Sequence, residues 1–496
     1  LSDVISSGKK DAVTVGRPRF IVGGLRFRNK SQDADNFWQA TESGFPACQP
    51  IMRTIMARAL FITRQRPVWW IVQTTLLSLA CRLVAARAEE SSVNAPPDTL
   101  VGPWPMRVKI VDRGISPFAV LTLEAWDNAA GGLQRGGWGN CLLDFGVELD
   151  TAKLGWWQGG YFMAQAFWVQ NLRRDASFAD DTGAFNPVSS AMAGDQLRVF
   201  NLYYRHAWRE DAVALKLGQI AVDDDFMTSD YSGLFLNSAF APMPSQVGTP
   251  LASGCGNPPS FPIYSVAAPG VFVRVRPFEA FYTQSGLYDG RVGFDEVDNH
   301  GFDWASQSPA EVGLFWESGC NYRIGRRAAA VRLGISYHSG PLDDFSRSTA
   351  GNPSATRQTV PNFYLIQDLA LVADREGKIK LGWFARGGLV PQPDRSMVSA
   401  YADTGLNWFA PLAARADDVA GIAVSHTRFS GDFRRSLAGN GVAADETTLE
   451  LTYKAQVTRY MALQPDVQFL FNPAVNPGSG SRETAIVLGI RAAITF

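Results

Sequence analysis

The stretch Thr484–Phe496, TAIVLGIRAAITF, puts an apolar residue at every second position: Ile486, Leu488, Ile490, Ala492, Ile494 and Phe496. The other phase carries Gly489, Arg491 and Thr495. A period of two describes a strand with one apolar and one polar face. An aromatic residue ends the stretch. The closing strand of an outer-membrane barrel has this form, with lipid outside and water inside. An edge strand of a soluble sandwich has it too, so the rest of the chain must decide.

The beginning of the chain is of another kind. Residues 1–51 show no sustained period. From Met52 a basic region (Arg53, Arg58, Arg64, Arg66) leads into the mostly apolar run Val68–Cys81 and then to Ala86-Arg87-Ala88. That order reads as a secretory signal peptide over 52–88. Its apolar core is too short and interrupted for a membrane span. The expected organisation is a non-native or disordered extension over 1–51, with translation starting at Met52 or Met56. The signal follows, then a periplasmic segment over 89–112 and a barrel domain over 113–496. Of 46 basic and 47 acidic residues, 13 and 5 lie in 1–88, which leaves 33 against 42, a net charge of −9. Nucleic acid is therefore not an expected partner, because phosphate binding needs a basic face. The remaining cysteines, Cys141, Cys255 and Cys320, form neither a disulfide framework nor a zinc pattern. No H-E-x-x-H spacing involves His206, His300, His338 or His426. Neither a cofactor nor a metal is expected.

Beyond residue 88 no run of about 18 apolar residues occurs, so membrane crossing would require a closed barrel. Short alternating segments, rich in aromatic and β-branched residues, recur instead. Sixteen strands are expected: 114–126, 142–151, 159–170, 197–208, 212–222, 269–277, 278–288, 311–317, 328–338, 362–373, 378–388, 404–412, 419–429, 447–457, 461–471 and 484–496. Connections after even-numbered strands are short (209–211, 374–377, 458–460). Those after odd-numbered strands are long (171–196, 223–268, 339–361). An all-β, up-and-down transmembrane barrel with short periplasmic turns and long outer loops requires this alternation. A Greek-key sandwich does not.

Each strand carries its charges on one phase. Val331, Leu333, Ile335 and Tyr337 oppose Arg332, Ser336 and His338; Leu449, Leu451 and Tyr453 oppose Glu450, Thr452 and Lys454. A basic residue on the lipid side costs about 2–4 kcal/mol at mid-membrane, so the charged phase faces a wet lumen. Pore-lining candidates are Arg274, Arg276, Arg332, Lys380, Arg386, Lys454 and Arg491, with Glu279, Glu450 and Asp466 as acidic partners. The plain alternative is that they line a wet wall in paired ladders. Asp223, Asp224 and Asp225 open the longest connection, 223–268, and are candidates for a constriction; a solvated acidic loop or a weak cation site is the alternative. Trp138, Trp156, Trp157 and Trp168 suit an interfacial girdle better than sugar stacking. Cys141 and Cys255 are placed in outer connections, where they are the more plausible bridge, and Cys320 near a periplasmic turn.

Several segments together resemble the carbohydrate-selective porin (OprB) family of Gram-negative outer membranes. They include Gly131-Gly132-Leu133-Gln134-Arg135-Gly136, Gly155-Trp156-Trp157-Gln158-Gly159-Gly160, Gly218-Gln219-Ile220 with Asp223-Asp224-Asp225-Phe226, and Leu234-Phe235-Leu236-Asn237-Ser238. Ala268-Pro269-Gly270-Val271, Tyr401–Asn407, Glu450–Thr458 and Leu463–Gln468 complete the set. Ile366-Gln367-Asp368-Leu369 and the cysteines depart from the pattern. The resemblance covers roughly 113–496. It implies a sixteen-stranded barrel in the outer-membrane lipid that passes small sugars, glucose-like monosaccharides, by diffusion; whether as monomer or trimer stays open. A non-selective pore remains an alternative, as does a barrel hydrolase using His206 or His338, although G-x-S-x-G is absent. A plugged transporter needs more chain before the first strand than Glu89–Asp112.

Overall fold

The computed structural model describes residues 99–100, 105–172, 181–247, 261–290, 300–302, 311–339, 341–347, 356–358, 361–436, 442–474 and 483–496. The expected extension, the signal peptide, most of the periplasmic segment and Cys255 lie outside the described residues. A helix at Pro105–Asp112 leads into the first strand. The barrel strands are β1 (Ile115–Ala130), β2 (Gly136–Asp150), β3 (Gly160–Asn171), β4 (Gln196–Trp208), β5 (Val213–Ile220), β6 (Ala268–Phe278), β7 (Phe281–Asp289), β8 (Val312–Ile324) and β9 (Arg327–His338). They continue, after the small ribbon β10 (Pro341–Asp343) and β11 (Thr356–Gln358), with β12 (Asn362–Ala373), β13 (Ile379–Leu389), β14 (Val398–Phe409), β15 (Val419–Phe429), β16 (Asp445–Thr458), β17 (Met461–Phe471) and β18 (Ala485–Thr495).

All strands but the ribbon pair antiparallel with their chain neighbours, and β18 pairs with β1 from Thr495↔Val120 to Ile486↔Ala130. The sheet is thus a closed barrel without a free edge, the condition for crossing lipid. The closing strand behaves as its pattern requires: Leu488 is exposed on the outside, whereas Val487 and Ala485 are sealed inside. Its glycine has a separate role. Gly489 stands opposite Trp126, and a Cβ there would lie 2.1 Å from the indole ring. Trp126 can lie flat on the inner wall only because that position has no side chain. Tyr364 uses Gly334 in the same way across β12 and β9.

Three expectations need correction. The first two strands are longer than their apolar runs, because the ladder continues through Trp126↔Trp138 to Asn128↔Gly136. The first outer connection is therefore only 131–135, shorter than the inner turn 151–159, and the short–long alternation is not strict there. Cys141 accordingly lies within β2 rather than in an outer loop, and it is a free thiol, as is Cys320 within β8. Likewise β14 begins at Val398, which leaves 390–397 as a short outer connection.

In β4 the outward residues Leu197 and Leu202 are five apart, an odd interval that a regular strand cannot place on one face. A bulge resolves it: Ala164 and Ala166 of β3 pair with Leu202 and Val199, so one extra β4 residue is accommodated. Phe200 and Asn201 both turn inward as a result, each 3% exposed. Leu451, near the middle of β16 and 40% exposed on the lipid phase, provides a test of facing. Leu451→Arg should cost about 2–4 kcal/mol of stability in bilayer vesicles, read from the urea midpoint. An unshifted midpoint would place that face in water.

Candidate functional site

The inner wall meets two segments that leave the strand ends and fold into the barrel. One is residues 181–195 of the β3–β4 connection; the other is 221–247 with 261–267 of the β5–β6 connection. The second crosses from β5 to the opposite wall, where buried wall groups accept its backbone N–H groups. Glu450 of β16, fully buried, accepts from Leu236 N at 2.6 Å and Asn237 N at 2.9 Å. Asp368 of β12 accepts from Asp230 N at 3.1 Å, and Glu317 of β8 from Met227 N at 3.3 Å. Glu317 is itself held by the hydroxyls of Tyr282 and Tyr364. Arg386 of β13 works with the opposite sign. It pairs with Asp403 of β14 at 2.5 Å and donates to the carbonyls of Ala239 (3.2 Å) and Ala241 (2.8 Å).

Residues 181–195 are fixed by the same chemistry. Glu446 accepts from Phe185 N at 2.7 Å and Asn186 N at 3.0 Å. Ser189 donates to Glu124, which also holds Arg491 at 2.7 Å. Apolar contacts fill the space between. Trp126, Trp138, Val188, Leu236 and Leu470 form one cluster, and Phe235, Phe240, Tyr231 and Phe384 another. Trp138, 2% exposed, is therefore a packing residue beneath the loops and not part of a girdle. Trp156 and Trp157 stack at 5.7 Å beside Phe162 and Tyr204 at the turn end of β3 and β4, the arrangement of a rim girdle. Exposed Trp168 follows the lipid phase of β3. His206 bonds the Tyr204 hydroxyl at 2.6 Å and packs on Trp208 at 4.3 Å, on that same outer face.

The inner faces of β2–β6 carry a polar ladder instead. Gln165 Nε2 donates to Asp144 at 2.9 Å, and Asn201 Nδ2 reaches both Gln165 Oε1 and Asp224 Oδ2 at 2.8 Å. Lys216 Nζ holds both oxygens of Asp225 at 2.7 Å and lies 5.1 Å from the Tyr203 ring centre. Tyr161 and Tyr203 neighbour each other at 6.4 Å. Arg274 covers the Tyr282 ring at 4.4 Å. Asp223, Asp224 and Asp225 each have a partner. Asp225 is ion-paired, the exposed Asp224 joins the ladder, and half-buried Asp223 accepts from Tyr264 N at 3.2 Å. Partial burial, and then the Asp224 charge, push the Asp223 carboxyl above the usual carboxylate range, with the Tyr264 amide pulling the other way. Burial and the Asp225 charge also raise Asp224, against the lowering by Asn201. Among the described residues, no group of three or more His, Cys, Asp or Glu side chains is arranged to hold a metal.

The sequence candidates fall into three places. Glu450, Arg386, Arg332, Asp466 and Arg491 are spent on the loop anchors or on wall contacts beside them; Arg332 joins Asp368 to Asp230, and Asp466 accepts from Gln468 at 2.9 Å. Arg276, Glu279 and Lys380 stand at the turn end. Glu279 is exposed in the two-residue reversal between β6 and β7, where the ladder breaks, rather than on the wall. Arg276 donates to Glu210 O, and Lys380 lies 3.9 Å from Asp374. Arg274 stays on the inner wall, and Lys454 is exposed on β16. Asp144, Gln165, Asn201, Tyr203 and Lys216 were missed. Their inward phase was visible, but only the cross-strand register shows that they form one ladder.

Glu450→Ala would strip two buried amides of their acceptor, at about 1–3 kcal/mol each. The loop should leave the far wall, and single-channel conductance should rise several-fold. Wild-type conductance would mean that the aperture does not depend on this anchor.

A family model described as carbohydrate-selective porin, OprB family, matches residues 141–496. The high-pH structure of Pseudomonas putida OprB is similar to this fold, with a TM-score of 0.69, 20% identity, and coverage of 82% of this chain and 100% of that one. The low-pH structure of the same protein gives a TM-score of 0.50 at 15% identity, covering 82% and 100%. No curated protein sequence matches the chain. With the family model matched over most of its length and the closed barrel in place, this chain belongs to the carbohydrate-selective porins of the OprB family, in the Gram-negative outer membrane.

Proposed function

We propose that this porin passes neutral monosaccharides such as glucose by passive diffusion, along the inner wall of β2–β6. The observation that carries the reading is the ladder Asp144–Gln165–Asn201–Asp224, flanked by Tyr161 and Tyr203. A sugar sheds water only where amides and carboxylates replace it around its hydroxyls and an aromatic face covers its C–H side. Such a strip offers both, with contacts weak and repeated enough to let the solute leave. The family's description supports a sugar as the solute.

In this account the β5–β6 connection sets the aperture, with Asp224 and Asp225 on its lip. Arg274 and Lys216 are counter-charges that keep the strip from becoming purely acidic. Arg332, Arg386, Glu450, Asp466 and Arg491 act on the aperture through the loops and wall they hold. Arg276, Glu279, Lys380 and Lys454 act as a wet rim. The family and the fold point to a channel rather than an enzyme, and His206, turned to the outer face and bonded to Tyr204, fits a rim aromatic better than a catalytic base.

Liposome swelling tests the proposal. Glucose should enter faster than neutral amino acids of similar size, and Gln165→Ala, at the half-buried rung of the ladder, should remove that preference while leaving amino-acid entry within about twofold. Equal rates for equal-sized solutes in the wild type would make this a non-selective pore.

A further inference from the structure

One part of the barrel has no role in the lumen. The β8–β9 hairpin continues where β7 has not yet begun: β7 starts at Phe281 opposite Cys320, while β8 and β9 stay paired from Asn321↔Ala330 to Ile324↔Arg327. All eight residues 321–328 are exposed. Three of them, Arg323, Arg326 and Arg327, are guanidinium-bearing, and no Asp or Glu occurs in sequence between Glu317 and Asp343. None of the three is ion-paired among the described residues. Gly325, in the turn with φ +63°, has open space around it. Neighbouring turns add Arg276, Arg375 and Lys378 against Glu279, Asp374 and Glu376, so they balance and the basic excess is the hairpin's own.

The outer face of the hairpin is apolar up to its tip, where Arg327 stands opposite Ile324. The lipid phase of β8 runs through Leu314, Trp316, Ser318 and Cys320 to Tyr322 and Ile324, which are 37% and 53% exposed. Tyr322 donates to Gln367 Oε1 at 3.1 Å, which fixes its ring on that face. A tyrosine and an aliphatic side chain at the end of a lipid-facing row, with unpaired arginines just beyond, fit a bilayer interface. Short turns mark this end as periplasmic.

We propose that the β8–β9 hairpin binds the anionic phospholipid headgroups of the periplasmic leaflet. Arg326, in the turn, and Arg327, opposite Ile324, contact the phosphates, while Tyr322 and Ile324 stay among the upper acyl carbons; Arg323 lies on the opposite phase of β8 and faces the pore mouth. An acidic periplasmic protein is the less fitting partner. Tyr322 and Ile324 continue the row that meets acyl chains, so the tip lies at the membrane surface and not clear of it. The attraction expected of basic side chains near an anionic surface is about fivefold in affinity per charge, about twenty-five-fold for two.

Native mass spectrometry of the full chain in detergent tests this, with equimolar phosphatidylglycerol and phosphatidylcholine as probes. The wild type should retain phosphatidylglycerol selectively. Arg326→Gln, in an open turn where misfolding is not expected, should weaken retention about fivefold. The variant carrying Arg326→Gln and Arg327→Gln should lose most of it while keeping the glucose swelling rate. Equal retention of the two lipids by the wild type, or undiminished phosphatidylglycerol on the double variant, would overturn the proposal. So would binding of polyglutamate that competes the lipid away and survives Tyr322→Ala with Ile324→Ala, since that would assign the surface to an acidic protein.

Discussion

A buried carboxylate that accepts backbone N–H groups holds the lumen in shape. Glu450 receives Leu236 and Asn237, Glu446 receives Phe185 and Asn186, and Asp368 receives Asp230. Loops inside a barrel have no ladder of their own, so their amides need acceptors, and a buried amide left without one costs about 1–3 kcal/mol. The wall supplies those acceptors at positions far away in sequence. Charge is the most economical way to do so, because one carboxylate satisfies two amides and its hydrogen bonds are charge-assisted.

The same interaction explains the uneven lumen. The wall from β8 through β18 to β1 meets the inward segments, and its buried ionisable groups, Glu317, Asp368, Arg386, Glu446 and Glu450, hold them. Arg386 is the clearest case, with Asp403 on one side and two loop carbonyls on the other. Removing either member of that pair would leave a buried charge uncompensated, at about 3–5 kcal/mol. The strip from β2 to β6 differs in that amides join its carboxylates, with Gln165 linking Asp144 to Asn201 and Asn201 linking Gln165 to Asp224.

Much of the barrel was legible in the sequence, because lipid outside and water inside impose a period of two on every strand. Leu333 and Arg332 announce their faces without any knowledge of the neighbours. Among the strands whose bounds were misjudged, β1 and β2 carry glycines and tryptophans where the pattern expects alternation, whereas β8 and β14 extend past their expected ends to Ile324 and back to Val398. Trp126 and Trp138 face inward beneath a loop, so lumen and core merge there and hydropathy no longer separates inside from outside. The roles of the charged residues were much less legible. Arg386 and Arg274 share a phase and look alike in sequence. One is sealed under a loop and the other covers a tyrosine ring, a difference set by where residues 221–247 cross the lumen. The Asn201 bulge is similar: an extra residue in β4 leaves a trace only in the odd spacing of Leu197 and Leu202.

The central claim is that wall carboxylates lock the inward loops through their backbone. Amide hydrogen exchange in lipid nanodiscs measures this most directly. Leu236, Asn237, Phe185 and Asn186 should exchange as slowly as the ladder amides of the barrel strands. Exchange as fast as that of a solvated outer loop would contradict the account.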